Sequence, residues 1–442
     1  MGIACYVITR EGGTIGLINR FISLRNKIKY LRRELNMQQL RKKVLPIILF
    51  ACFCLSCGTP VYAESEKSST EMASRIKDSP IVDLVCNEIA NYRKDYYDIT
   101  SISGKVSNIE KASNGVNIIV DVNYSTKIKA RTPDDSPYIK GIKAAIDRLT
   151  NKKDIERANS YLKIWYGELE RDHIGKSLPH SSEFKVFIPV SDTRNVLDTN
   201  AADFLDKVSL TNAQVMYRQY DFVDSNAVRT ANSVVNDHGT YEDKTMDAFA
   251  LPNDKEVMNN AYQAVQDIVG SSNVATGSSR AQELDRVAAR DYASDSNNFP
   301  HNSQFNYYDG HDCANFVSQC YYMGGLSEDN TWKRYSNPWI NTGGSRSGGI
   351  YGLSNYMQDN GIVFWVNGSN ITRAFAGSII YYQSGTPGGH VGIVTSNDGR
   401  EMRYSAHTND HCNETMNQTW FSAHCDFLIP CWDSYTGTWT PQ

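Results

Sequence analysis

One cysteine and one histidine, 77 positions apart, carry the most reactive pairing that this 442-residue sequence offers. Asp312-Cys313-Ala314-Asn315-Phe316-Val317-Ser318-Gln319-Cys320-Tyr321-Tyr322-Met323 reads as one helix, opened by Asp309 or Asp312 and closed by Gly324-Gly325. Phe316, Cys320 and Met323 would line its core face. Cys313 then stands in the first turn, where free backbone N–H groups and the helix dipole favour a thiolate. A lowered thiol pKa and nucleophilic chemistry are therefore expected. Cys320 lies two turns along, roughly 10 Å away at ~1.5 Å per residue, too far for a disulfide to Cys313.

A thiol nucleophile needs a base. Gly377 to Tyr382 reads as a buried strand, and His390-Val391-Gly392-Ile393-Val394-Thr395 as the next, with the histidine at its mouth. Arg403 to Asn409 reads as a third strand on which Ser405, His407 and Asn409 share one face. Any of the three could orient the imidazole of His390, and His407 and Asn409 have the more suitable side chains.

The rest of the chain must position these groups. Its composition, 40% apolar and 21% charged, is that of a globular protein. A mean hydropathy of -0.46 excludes a polytopic membrane protein. Residues 1–63 hold 10 basic and 2 acidic side chains, and the remaining residues 35 and 47, so a net +8 leader precedes a net -12 body. That acidic body argues against nucleic acid as a partner. Arg41-Lys42-Lys43, the apolar run Val44 to Leu55 and the small-residue end at Ala63 read as a secretory signal, with Met37 as the expected start. A secreted or wall-associated protein is expected, touching membrane only through an uncleaved signal or lipid anchor.

Six of the ten cysteines lie beyond that leader, too few for a disulfide scaffold. Cys412 is expected to pair with Cys425 or Cys431. His407 and His411, with Cys412, His424, Cys425 and Cys431 nearby, raise the alternative of a zinc site. Strand-like alternation and the lack of a C-x-x-C pair weigh against it, so no metal or cofactor is expected.

Ser79-Pro80 caps a helix carrying Ile81, Val82, Val85, Ile89 and Tyr92, with Cys86 on the same face. Asn114-Gly115 joins alternating stretches at 102–110 and 115–124 into a hairpin. Two helices broken near Asn151 and a strand from Phe184 to Val190 complete an α+β accessory domain over 66–195. Residues 196–280 read as a helical connector ending in a Gly/Ser-rich linker. Residues 281–442 then hold one lysine, Lys333, and six of the seven tryptophans, a shift that marks a separate domain. Within it, 327–375 is an aromatic, glycine-rich insertion, either a substrate groove or cover for the sheet.

Asp-Cys-x-Asn-Phe-Val-Ser-Gln at 312–319, Gly-x-Ile-Ile-x-Tyr at 377–382, His-Val-Gly-Ile-Val-Thr at 390–395 and Tyr-x-Ala-His-Thr-x-Asp at 404–410 occur in that order. Together they resemble the bacterial "putative amidase domain" family, which is similar to CHAP-type cysteine, histidine-dependent amidohydrolases and peptidases of the papain-like group. The resemblance covers about 283–425. It implies a helix bearing the cysteine packed on an antiparallel sheet, with Cys313 as nucleophile and His390 as general base. It also implies His407 as third member, with Asn409 in reserve. Asp312 and Tyr307 are the candidates for oxyanion or supporting roles. Ser378 departs from the pattern, standing where related sequences often carry Asp. The implied reaction hydrolyses amide bonds of cell-wall peptides or another amide substrate through a thioester. The alternatives are a protein endopeptidase of the same mechanism and an inactive wall-binding module.

Overall fold

Local signals start and stop most elements. The computed structural model describes residues 79–189, 209–220, 241–270, 283–299, 301–308, 312–344, 350–382, 389–408, 410–434 and 436–441. The leader, the linker beyond Gly270 and Asn409 lie outside these residues. Helix α1 (Pro80–Arg93) begins where the Ser79 hydroxyl accepts from the Ile81 N–H at 3.4 Å. Strands β1 (Tyr97–Ala112) and β2 (Gly115–Ile128) form the expected hairpin, longer at both ends, with Ala112 opposite Gly115. Helices α2 (Pro137–Ile146) and α3 (Lys152–Glu168) are separated at Asn151, which caps the second.

The accessory sheet extends past residue 195. Strand β3 (Leu178–Pro189) pairs with β2, β4 (Gln214–Tyr220) with β3, and β5 (Tyr241–Thr245) with β4, all antiparallel. Sequence polarity had suggested a connector there. Helix α4 (Asp254–Gly270) packs Val257, Ala261 and Val265 against Tyr138, Ile142 and Trp165 of α2 and α3. Among the described residues no helix is long and apolar enough to cross a membrane.

The second sheet carries the candidate chemistry. Its strands are β6 (Val363–Val366), β7 (Ile379–Tyr382), β8 (His390–Asn397), β9 (Met402–Ala406), β10 (His411–Thr415) and β11 (Cys425–Pro430). Their spatial order is β10-β9-β8-β7-β11-β6, antiparallel throughout. Helix α5 (Arg286–Ser294) precedes α6 (Cys313–Met323). Helix α6 packs Ala314, Phe316, Val317 and Tyr321 onto the face bearing Ile379, Tyr381, Val391 and Ile393. The opposite face, with Ile380, Val394 and Tyr404, is covered by Phe421 of α7 (Gln418–His424). The fold is thus mixed α and β with antiparallel sheets.

Several expectations need correction. Every residue from Cys313 to Tyr321 is buried, so α6 has no polar face, and Met323 is 48% exposed, not core. In α5 the buried face carries Arg286, Ala289, Tyr292 and Ala293. Trp332 and Trp339 are buried around α6, so that part of the insertion covers the helix and lines no groove. No disulfide joins the six described cysteines. The Cys412 thiol faces Ser294 O at 3.8 Å, while Cys425 is packed in the core beneath α7.

Buried polar bonds tie the two sheets' surroundings into one compact unit, residues 72–442. Arg286, fully buried, donates to Glu168 Oε2 at 2.9 Å and to Ala376 O at 2.8 Å, and pairs with Asp433 at 2.6 Å. Tyr97 Oη donates to Asp398 Oδ2 at 2.6 Å. A buried ion pair contributes little net stability against an apolar replacement, but loss of one partner strands a charge. Its contribution here is to hold one relative arrangement of the elements.

Candidate active site

Cys313 is the first residue of α6, buried to 8% exposure. The backbone N–H groups of Val391, Ala314 and Cys313 itself lie near enough to its sulfur to favour the thiolate. Two of these belong to the open first turn of the helix, where no carbonyl precedes them. The third comes from β8 and belongs to the residue directly after His390. Sequence reasoning predicted a lowered thiol pKa from the helix end. The structure reverses the sign: burial pushes Cys313 up to about 11, outweighing the three N–H groups, and the nearby Asp312 charge adds to the rise.

His390 opens β8 opposite Tyr382 and is 8% exposed. Burial pushes its imidazole down to about 4. At neutral pH the resting site therefore holds a thiol and a neutral imidazole, not an ion pair.

Asp312 was expected to cap the helix or support the oxyanion. Its side chain makes no cap bond. Its Oδ1 accepts from Tyr308 N–H at 3.0 Å and from Asn315 Nδ2 at 2.8 Å. Its Oδ2 lies 2.6 Å from His407 Nδ1. An ionised carboxylate only accepts, so this network assigns the proton to Nδ1 of His407. Phe316 stacks on the His407 ring at 3.9 Å and Phe299 meets it edge-on at 4.8 Å. The Nε2 of His407 is buried and makes no hydrogen bond among the described residues. His407 lies one residue past the end of β9, not within a strand as expected. Thr408 follows with φ +88°, a conformation strained for a β-branched residue, and its hydroxyl accepts the Asp312 N–H at 2.9 Å.

The structure thus bonds His407 to Asp312, the residue before Cys313, and sets the N–H of Val391, the residue after His390, near the Cys313 sulfur. Tyr307 instead packs its ring against His301 at 5.2 Å. His411 pairs opposite Ala406 on β10, so His407 and His411 do not share a helix face. Ser378, the departure from the family pattern, donates no chemistry to this cluster; its hydroxyl accepts from Phe375 N–H at 3.2 Å.

Sequence reasoning missed Asn315. Its amide donates to Asp312 and to Asn306 O at 2.8 Å, and its oxygen accepts from Trp339 Nε1 at 2.7 Å. Its spacing of three from Asp312 on one helix was the available signal.

Residues 283–429 match the family described as "Putative amidase domain". The matched segment begins just before α5 and ends in β11, enclosing all of the candidate residues. A curated relative, the uncharacterized protein YjcM of Bacillus subtilis (strain 168), is 26% identical over 121 residues, covering 25% of this chain and 28% of that protein. The chain therefore spans just over a quarter of that relative's length. No solved structure matches.

Proposed function

We propose that the amidase domain is a cysteine-dependent amidohydrolase with Cys313 as nucleophile and His390 as general base. The observation that carries this reading is that the N–H of Val391, the residue after His390, acts on the Cys313 sulfur and favours its thiolate. His390 takes the thiol proton as the sulfur attacks the amide carbonyl, and the S–C bond forms. The first-turn N–H groups of α6 lie beside that sulfur and suit the oxyanion that develops. His390 returns the proton to the amine as the C–N bond breaks. Water, deprotonated by the same imidazole, then releases the acid from the thioester and the thiol is restored. A neutral resting pair suits this sequence, because proton transfer accompanies attack.

Asp312 and His407 act on this site by position. They fix the turn that enters α6 and hence the direction of the Cys313 side chain. One observation favours a second assignment of the base. Counting on from the Ile393–Ser405 pair brings His407 level with Val391, and its carboxylate-held Nδ1 leaves Nε2 as an acceptor. In that reading His407 is the base and His390 the support, with the same covalent steps.

The substrate class we propose is the amide bonds of peptidoglycan, acted on outside the cell. The basic-apolar leader and the family resemblance support it. Incubating the protein with cell-wall digests and reading products by mass spectrometry tests it. New amine ends that disappear in Cys313→Ala are expected. Cleavage of general protein substrates with intact cell-wall peptides would replace this substrate class by a peptidase reading.

A further inference from the structure

At the other end of the β8–β9 hairpin lies a cleft of about 950 Å³, a size suited to a small-molecule or peptide ligand. Glu401, on its floor, precedes β9, whereas His407 follows it. Six residues at ~3.3 Å each put the two ends roughly 20 Å apart. The cleft is therefore separate from the Cys313 site. Its walls come from both sheets' surroundings: α1, β4 and α4 on one side, the turns near 369–372 and 415–419 on the other.

Arg93 is the feature that marks this cleft as more than a packing gap. It lines the cleft, is 1% exposed and lies over the Phe249 ring at 4.1 Å, and among the described residues its Nε and Nη1 make no hydrogen bond. Glu401 Oε2 forms an ion pair with Nη1 at 3.9 Å, beyond hydrogen-bond length, and among the described residues makes no hydrogen bond. The other Glu401 oxygen is already shared, accepting from Thr415 at 3.2 Å and lying 3.4 Å from His180. A buried guanidinium with open donors is costly unless an acceptor is supplied.

We propose that this cleft is a second binding site, which takes the free carboxylate end of a short peptide on Arg93. A charged acceptor gives the strongest bond to a guanidinium. Exposed Asp247 and Glu256 on the lining suit a ligand that carries N–H or ammonium groups away from its carboxylate, and disfavour a phosphate. The amides of Asn260 and Asn370 can read peptide groups. The proposal is independent of the catalytic assignment.

The test is calorimetric titration of full-length Cys313→Ala protein with Ala-Ala-Ala and with its C-terminal amide. Saturable binding of the free acid, at least tenfold weaker for the amide, is expected. Arg93→Lys should weaken the acid at least tenfold. If Arg93→Lys does not fold, Asn370→Trp, which fills the cleft from its half-buried rim, should abolish binding. No saturable binding, equal affinity for acid and amide, or affinity unmoved by Asn370→Trp overturns the proposal.

Discussion

Nδ1 of His407 lies 2.6 Å from Oδ2 of Asp312, and both side chains are wholly excluded from solvent. The residue that precedes the candidate nucleophile is thereby tied to a residue 95 positions later, across the junction of α6 and β9. Two further bonds on Oδ1 and one on the Asp312 backbone leave that turn little freedom. The direction in which Cys313 leaves the helix is thus set by long-range contacts.

Breaking this pair by His407→Ala should leave a buried, under-bonded carboxylate. A loss of about 1–3 kcal/mol in stability is expected. Denaturant melts of His407→Ala, Asp312→Asn and the double variant check this. The double variant should be less destabilised than the sum of the two, because each single change strands a partner.

The two candidate bases separate kinetically. His390→Asn should lower kcat by about 10²–10⁴-fold, the range of a lost general base. His407→Gln, which can still donate to Asp312, should retain most of kcat. Steady-state hydrolysis rates of the two variants decide it, and the opposite ranking assigns the base to His407.

The pH response of Cys313 follows from burial. With its pKa raised to about 11, the thiolate fraction is small at neutral pH and grows as pH rises. Iodoacetamide labelling of Cys313, followed by peptide mass spectrometry, should be slow at pH 7 and climb steadily above pH 9. Rapid labelling that is flat between pH 6 and 8 would show a resting thiolate instead.

His390 gives an opposite pH window for stability. Its folded pKa, about 4, lies below the ordinary value of 6.5, so the unfolded chain binds more protons between them. The stability linked to its burial is fully present above pH 6.5 and is lost as pH falls toward 4. Thermal melts across that window should fall more steeply for the native protein than for His390→Gln.

Arg286 should be the most sensitive basic residue outside the candidate site. Arg286→Met strands both Glu168 and Asp433, and about 3–5 kcal/mol of destabilisation is expected. Replacing all three with apolar residues should restore much of it. Chemical denaturation of the single and triple variants measures this.

What the sequence made legible was local. Asn114-Gly115 placed the first hairpin, Ser79-Pro80 the first helix, and the Asp312–Gly325 segment the cysteine-bearing helix, because caps and turns act over a few residues. Partners far apart in the chain were not visible. The partners of Arg286 could not be read locally, since its acceptors stand at 168, 376 and 433. The polar strands Gln214–Tyr220 and Tyr241–Thr245 join the sheet as its outer pair, where one face carries little apolar patterning. The thiol pKa was misjudged for the same reason: the helix end is a local effect, whereas burial comes from the sheet and the tryptophans around α6.

The central claim is that Cys313 forms a covalent acyl bond with an amide substrate. Rapid acid quench of the protein with a cell-wall digest, followed by intact-mass and peptide mapping, tests it most directly. An added acyl mass on the peptide containing Cys313, absent from Cys313→Ala together with hydrolysis, is the predicted result. Hydrolysis that continues at the native rate in Cys313→Ala would contradict the account.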